Sequence, residues 1–197
     1  MTTPVEEYTR RYAGEMADAI RAPYLAEGLA RIVPVFLSAR DAGRTLFFFG
    51  NGGSASTASH FVVDIGKATI RGDHRRFRCV ALVDNVETLT AWANDTEYSR
   101  VFAEPLRTLG QAGDVAVAIT GSGNSPNILA AVEVAKSMQI TSIGLTGMGG
   151  GKLKAAVDIP IVVPSNSMQH IEDVHLLICH LLTAYFRDEA PAGPLTR

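Results

Sequence analysis

From residue 45 onward the chain carries five short apolar runs, at residues 45–49, 78–83, 114–119, 141–145 and 159–163. None alternates with period two, which marks strands covered on both faces. Between them the apolar spacing lengthens to the helical period over roughly ten residues or more, enough for crossover connections. This alternation predicts an α/β chain with a doubly wound, five-stranded parallel sheet. A helical preface over residues 1–42 precedes it, with a break at Pro23. Its second helix, residues 25–40, places Leu29, Ile32, Val33, Phe36 and Leu37 at helical spacing, and Pro34 inside that pattern predicts a kink or an early start. The expected organisation is one domain over residues 1–197. Residues 43–188 form its α/β core, and a Pro- and Gly-containing tail, 189–197, is expected to fray.

In a doubly wound sheet ligands sit beyond the carboxyl ends of the strands. The first strand candidate runs straight into Gly50, Asn51, Gly52, Gly53 and Ser54, and a helix is predicted over residues 55–67. A strand, a glycine turn and a helix in that order gather backbone N–H groups at the positive end of a helix, a place to hold a phosphate. Ser54 can cap the helix or place its hydroxyl on the anion. The stretch is neither a dinucleotide fingerprint nor a P-loop. The third strand ends in a second such turn, Thr120, Gly121, Ser122, Gly123, Asn124 and Ser125. There Ser125 is the predicted N-cap of a helix over residues 127–138, with Pro126 at its first position. Two such turns in one parallel sheet point to phosphate binding more strongly than either alone. A further glycine turn, residues 146–151, reads as structural. Asn94 and Asp95 interrupt a helical pattern and are either a helix stop or a polar pair brought toward the strand ends.

Composition changes little in this picture. The chain is 47% hydrophobic and 19% charged with a net charge of −2, so no basic excess points to nucleic acid. The opening residues lack the apolar core of a secretory signal, and no apolar run is long enough to span a bilayer. Cys79 and Cys179 lie far apart in apolar surroundings and read as reduced core residues. The expectation is a soluble, cytoplasmic protein.

Two helices carry candidate acid–base and metal-binding groups. His60 and Asp64 are four residues apart and share a face. On the last helix Glu172 and His180 are eight apart, about 80° around an ideal helix, and are expected to converge on one side. His175, about 60° from Glu172 in the opposite sense, is expected in a core or an interface. Taken singly, each of these more often serves structure than chemistry.

The segments 50–61, 89–102, 119–131, 145–153 and 170–180 resemble, in order, those of the sugar-isomerase (SIS) domain family, and specifically its phosphoheptose isomerase branch. The resemblance implies a flavodoxin-like SIS fold and a homotetramer with active sites near subunit contacts. It also implies a phosphate held by the turns at 50–54 and 120–125. His60 and His180 match the family's two metal-binding histidines. Asp64 falls where the family usually has a glutamate that binds metal and serves as base, and Glu172 where it usually has glutamine. Asn51, Gly52, Gly53, Asn94, Asp95, Thr120, Ser122 and Ser125 match its substrate contacts, Thr120 replacing a serine and Gly121 a threonine.

Two imidazoles and two carboxylates would make a divalent site suited to Zn2+, its ligand charge −2 where the usual family set carries −1. The implied reaction is aldose–ketose isomerisation of a phosphorylated sugar, foremost sedoheptulose 7-phosphate to D-glycero-D-heptose 7-phosphate. Asp64 is the expected base, His180 the acid that handles the oxygen proton, and Glu172 the reserve base. The alternatives are isomerisation of another long-chain phosphosugar and a non-catalytic phosphosugar-binding or adaptor module. Retention of His60, His180 and an acidic Asp64 favours an enzyme.

Overall fold

The computed structural model describes residues 2–195. Two helices, α1 (Pro4–Arg21) and α2 (Pro23–Asp41), lead into β1 (Thr45–Gly50), α3 (Gly53–Ala68), β2 (Arg78–Ala81) and α4 (Val86–Asp95). Next come α5 (Ala103–Leu109), β3 (Val115–Ile119), α6 (Pro126–Ser137), β4 (Thr141–Thr146), α7 (Leu153–Ala156), β5 (Ile159–Val162) and the long α8 (Met168–Asp188). All strand pairs are parallel, and the order is β2-β1-β3-β4-β5. The predicted doubly wound five-stranded sheet and its helical preface are therefore present. Pro34 does not end α2, which runs through it to Asp41.

Two apolar layers sandwich the sheet. Leu46 and Phe48 of β1 face a layer built with α2, α3 and α8, while Phe47 and Phe49 face one built with α5 and α6. Phe48 stacks on Phe61 of α3 with centroids 4.9 Å apart. Because both faces are filled, β1 and β3 are buried at every position and show no alternation. The expectation of two covered faces fails at the edges. Within one chain β2 is exposed at Arg78 and only partly buried at Cys79 and Val80, and β5 alternates between buried and half-buried positions. An edge strand has a neighbour on one side only, so less of it is covered.

The tail also departs from expectation. Residues 190–195 are held rather than frayed: Arg71 donates to the carbonyls of Phe186, Arg187 and Ala190, and Arg40 to that of Pro191. Arg75 N–H donates to Pro194 O, and His74 pairs with Leu195. Residues 196–197 of the tail lie outside the described residues. Among those described, no helix is long and apolar enough to cross a membrane.

Candidate active site

The strand order turns back on itself between β1 and β3, since β1 is followed by β2 on one side and flanked by β3 on the other. That is the switch point beyond which doubly wound sheets bind ligands. In register Gly50 lies beside Ile119, so the turns at 50–54 and 120–125 leave the sheet side by side. Asn51 and Asn127 lock them together with reciprocal amide hydrogen bonds of 3.0 and 2.8 Å. Tyr98 donates its hydroxyl to Asn51 Oδ1 at 3.0 Å. Asn127 is only 2% exposed, and neither it nor Tyr98 stood out in the sequence. An asparagine just inside a helix start was the one legible hint, since its side chain competes with regular backbone bonding.

Within the second turn, the hydroxyls of Thr120 and Ser125 are 3.3 Å apart and Ser122 Oγ accepts from Asn124 N–H. The turn at 146–151 buttresses it: Gly147 N–H donates to Gly121 O, Leu153 N–H to Gly123 O and Lys152 N–H to Asn124 Oδ1. Its structural reading holds. Ser125 is the N-cap residue of α6 with Pro126 following, but its side chain makes no capping bond, so its hydroxyl remains on the Thr120 side. The N-cap of α3 is Gly52, at φ +55°, rather than Ser54, which lies buried inside the first turn. Only glycine takes that backbone angle without strain. Asn94 and Asp95 end α4, exposed and bonded to each other, and Tyr98 reaches the rim.

The second part of the site joins α3 to α8. His60 Nε2 is 3.2 Å from Asp64 Oδ2 and 3.2 Å from His180 Nε2, and the latter is 3.8 Å from Asp64 Oδ2. Zn2+ binds imidazole nitrogen and carboxylate oxygen at about 2.0–2.1 Å, and the circle through these three atoms has a radius of about 2.0 Å. Three lone-pair atoms at this spacing need a proton or a cation between them, and the donor set fits a divalent ion. The group is open to solvent, with His60 and His180 side chains 43% and 50% exposed.

Glu172 is not part of this group among the described residues. Its carboxylate lies against the start of α3, where a Cβ on Gly53 would be 3.0 Å from both oxygens. The expected convergence of Glu172 with His180 therefore fails within one chain. The helical wheel counts the 80° between them but not the rise, which over eight residues is about 12 Å. The group that a single chain offers to a cation is two imidazoles and one carboxylate, with charge −1 rather than −2.

His175 takes the core place. It is fully buried, and burial pushes its pKa down to about 4; contact with the Thr146 backbone opposes this in part but falls short of a well-formed hydrogen bond. An imidazole titrating near 6.5 when unfolded and near 4 when folded leaves the unfolded state binding more protons between those values. Its contribution is intact above pH 6.5 and lost as the pH falls toward 4, at most about 3 kcal/mol. Urea unfolding of wild type and His175→Leu over this range should show the wild type losing more stability on acidification. Parallel pH dependences would show that His175 is not the cause.

Fold and site together define a doubly wound α/β protein with two glycine- and hydroxyl-rich turns side by side at the strand ends and a His–Asp–His group between α3 and α8. The chain belongs to the SIS domain family, which it matches over residues 8–147. It is 38% identical over 176 residues to a phosphoheptose isomerase of Paramagnetospirillum magneticum, covering 89% of this chain and 90% of that protein. To the phosphoheptose isomerase of Rhodospirillum rubrum it is 35% identical over 185 residues, 93% and 98% of the two chains. Among solved structures it is similar to a phosphoheptose isomerase from Francisella tularensis, with a TM-score of 0.83, 29% identity and coverage of 94% and 98%. A second similar structure is the phosphoheptose isomerase of Neisseria gonorrhoeae, with a TM-score of 0.79, 32% identity and coverage of 91% and 98%.

Proposed function

We propose that this chain is a phosphosugar aldose–ketose isomerase converting sedoheptulose 7-phosphate to D-glycero-D-heptose 7-phosphate. The observation that carries this reading is the pairing of a two-turn phosphate rim at the β1/β3 switch with His60, Asp64 and His180 further along α3 and α8. In this proposal the phosphate lies against the backbone N–H groups of residues 51–54 and the hydroxyls of Thr120, Ser122 and Ser125. Gly121 allows close approach, and Asn94 and Asp95 serve as more distant sugar contacts. From the first turn of α3 to His60 is about 11 Å along the helix, a reach suited to an extended long-chain phosphosugar.

Asp64 removes a proton from C1 of the ketose, giving the enediolate, and returns it to C2. His180 moves the proton between the two oxygens so that the carbonyl passes from C2 to C1. Glu172, at the start of α3, lies beside the path between phosphate and carbonyl and serves as the reserve base. His60, Asp64 and His180 would hold a divalent ion, proposed as Zn2+, and when bound it supplies Lewis-acid polarisation of the carbonyl. Phosphate binding, remote from the reacting carbons, fixes their position.

A homotetramer is proposed with it. Leu29, Val33, Leu181 and Tyr185 line an apolar groove of about 440 Å3 between α2 and α8, and Val5, Tyr8 and Ile20 are exposed on α1. The cytoplasm is the compartment proposed.

The test is incubation with sedoheptulose 7-phosphate, with and without chelator, followed by NMR of the products. Appearance of the heptose 7-phosphate, suppressed by chelator and restored by Zn2+, is expected. An unchanged substrate spectrum at high enzyme concentration with Zn2+ present would sink the reading. Asp64 and Glu172, in place of the family's usual glutamate and glutamine, favour a second reading, an isomerase of another long-chain phosphosugar. The same assay on other ketose phosphates separates the two.

A further inference from the structure

A second cluster of ionisable groups lies away from the phosphate rim and the His–Asp–His group, at the junction of α1 with the start of α8. A cavity of about 510 Å3 is bounded there by Glu15 and Asp18 of α1, Ser165 and Asn166 of the loop after β5, and His170 of α8. His170 is 4% exposed, and its Nε2 is buried with no hydrogen-bond partner. Tyr12 packs edge-on against its ring, with centroids 4.2 Å apart. Glu15 Oε2 faces Nε2 from 3.7 Å, too far for a hydrogen bond.

That distance has a second meaning. Two ligands of one tetrahedral Zn2+, each about 2.05 Å from the ion, stand about 3.4 Å apart. Glu15 Oε2 and His170 Nε2 thus need to close by only a few tenths of an ångström to share an ion. A buried imidazole nitrogen facing a carboxylate at this spacing has the donor chemistry to share an ion. Asp18, three residues along the same face of α1, adds a second negative charge. The cavity is far larger than a bare ion and has room for several waters. Water could bridge the ion to Asp18 and to the oxygens of Ser165 and Asn166.

We infer that Glu15 and His170 bind a divalent cation, with Asp18 reached through water, at a site separate from His60, Asp64 and His180. The ion ties α1 to the first turn of α8. Within one chain Ala19 is the only buried residue of α1 among those described, and its side chains meet α8 where Tyr12 touches Asp173 and His170 and Glu15 faces His170. The inference does not rest on the proposed isomerase activity.

The experiment is calorimetric titration of chelator-stripped, full-length protein with Zn2+, together with metal content after dialysis. Wild type is expected to bind two Zn2+ per chain with Kd below about 10 µM. The His60→Ala/His180→Ala variant should retain one of them. Glu15→Gln/Asp18→Asn, which changes only side chains at the surface of α1, should also retain one, and the four changes combined should bind none. The inference is overturned if Glu15→Gln/Asp18→Asn binds as many ions as wild type with unchanged affinity, or if His60→Ala/His180→Ala binds none. Loss of one ion in each double variant distinguishes the two sites even if no sugar is turned over.

Discussion

Asp64→Asn should lower turnover of sedoheptulose 7-phosphate at least 1,000-fold, within the range of roughly 10²–10⁴ contributed by a positioned general base and enlarged by the loss of a metal ligand. Asparagine keeps the size of the side chain and its place four residues from His60, but it cannot take a proton from carbon. It also removes the single carboxylate of the group whose three donor atoms lie 3.2–3.8 Å apart. Inorganic phosphate should still bind, because the turns at 50–54 and 120–125 are untouched. Asp64→Glu, one methylene longer, should retain activity. Steady-state rates beside phosphate binding by calorimetry would check both variants. Turnover within tenfold of wild type in Asp64→Asn would remove Asp64 from the chemistry.

Gly123→Ala should be the most destabilising single methyl group in the two turns proposed to hold phosphate. Gly123 has φ +66°, and a Cβ there would stand 2.1 Å from the backbone oxygen of Gly150, with Thr146 Oγ1 at 3.0 Å. Backbone cannot swing aside as a side-chain tip can, so the 120–125 turn must part from the 146–151 turn that supports it. The expected cost is about 3 kcal/mol or more, and in a chain of this size the melting temperature should fall by about 10 °C. Phosphate affinity should fall with it. Gly149→Ala is the control: its φ is +78°, yet nothing lies within 4 Å of a Cβ there. That change carries the backbone strain alone, of order 1 kcal/mol. Similar melting temperatures for the two variants would show that the close approach at Gly123 is not what holds the turns together.

Local chemistry makes much of this protein legible from the order of its residues. The run at 45–49 is apolar on both sides of the strand because Phe47 and Phe49 face one layer while Leu46 and Phe48 face the other. The glycine turns announce themselves because Gly52 and Gly123 adopt backbone angles that side chains resist. His60 and Asp64 share a face because helical spacing requires it. The same reasoning fails for Glu172 and His180, which share a side of α8 but are separated along it by about 12 Å. It also fails at the tail, whose Pro and Gly content says nothing of the arginines that hold its carbonyls.

By itself the sequence determined the elements, the two turns that leave the strands, and the kinds of group available: hydroxyls and glycines in the turns, imidazoles and carboxylates on the helices. Those follow from backbone sterics and side-chain period, which act over a few residues. Only the tertiary structure decided that β3 lies against β1, that Asn127 and Tyr98 clamp Asn51, and that His180 meets His60 across 120 residues while Glu172 stays at the head of α3. Those outcomes depend on how the two apolar layers close over the sheet, and no short-range period encodes which distant helix a packed face will meet.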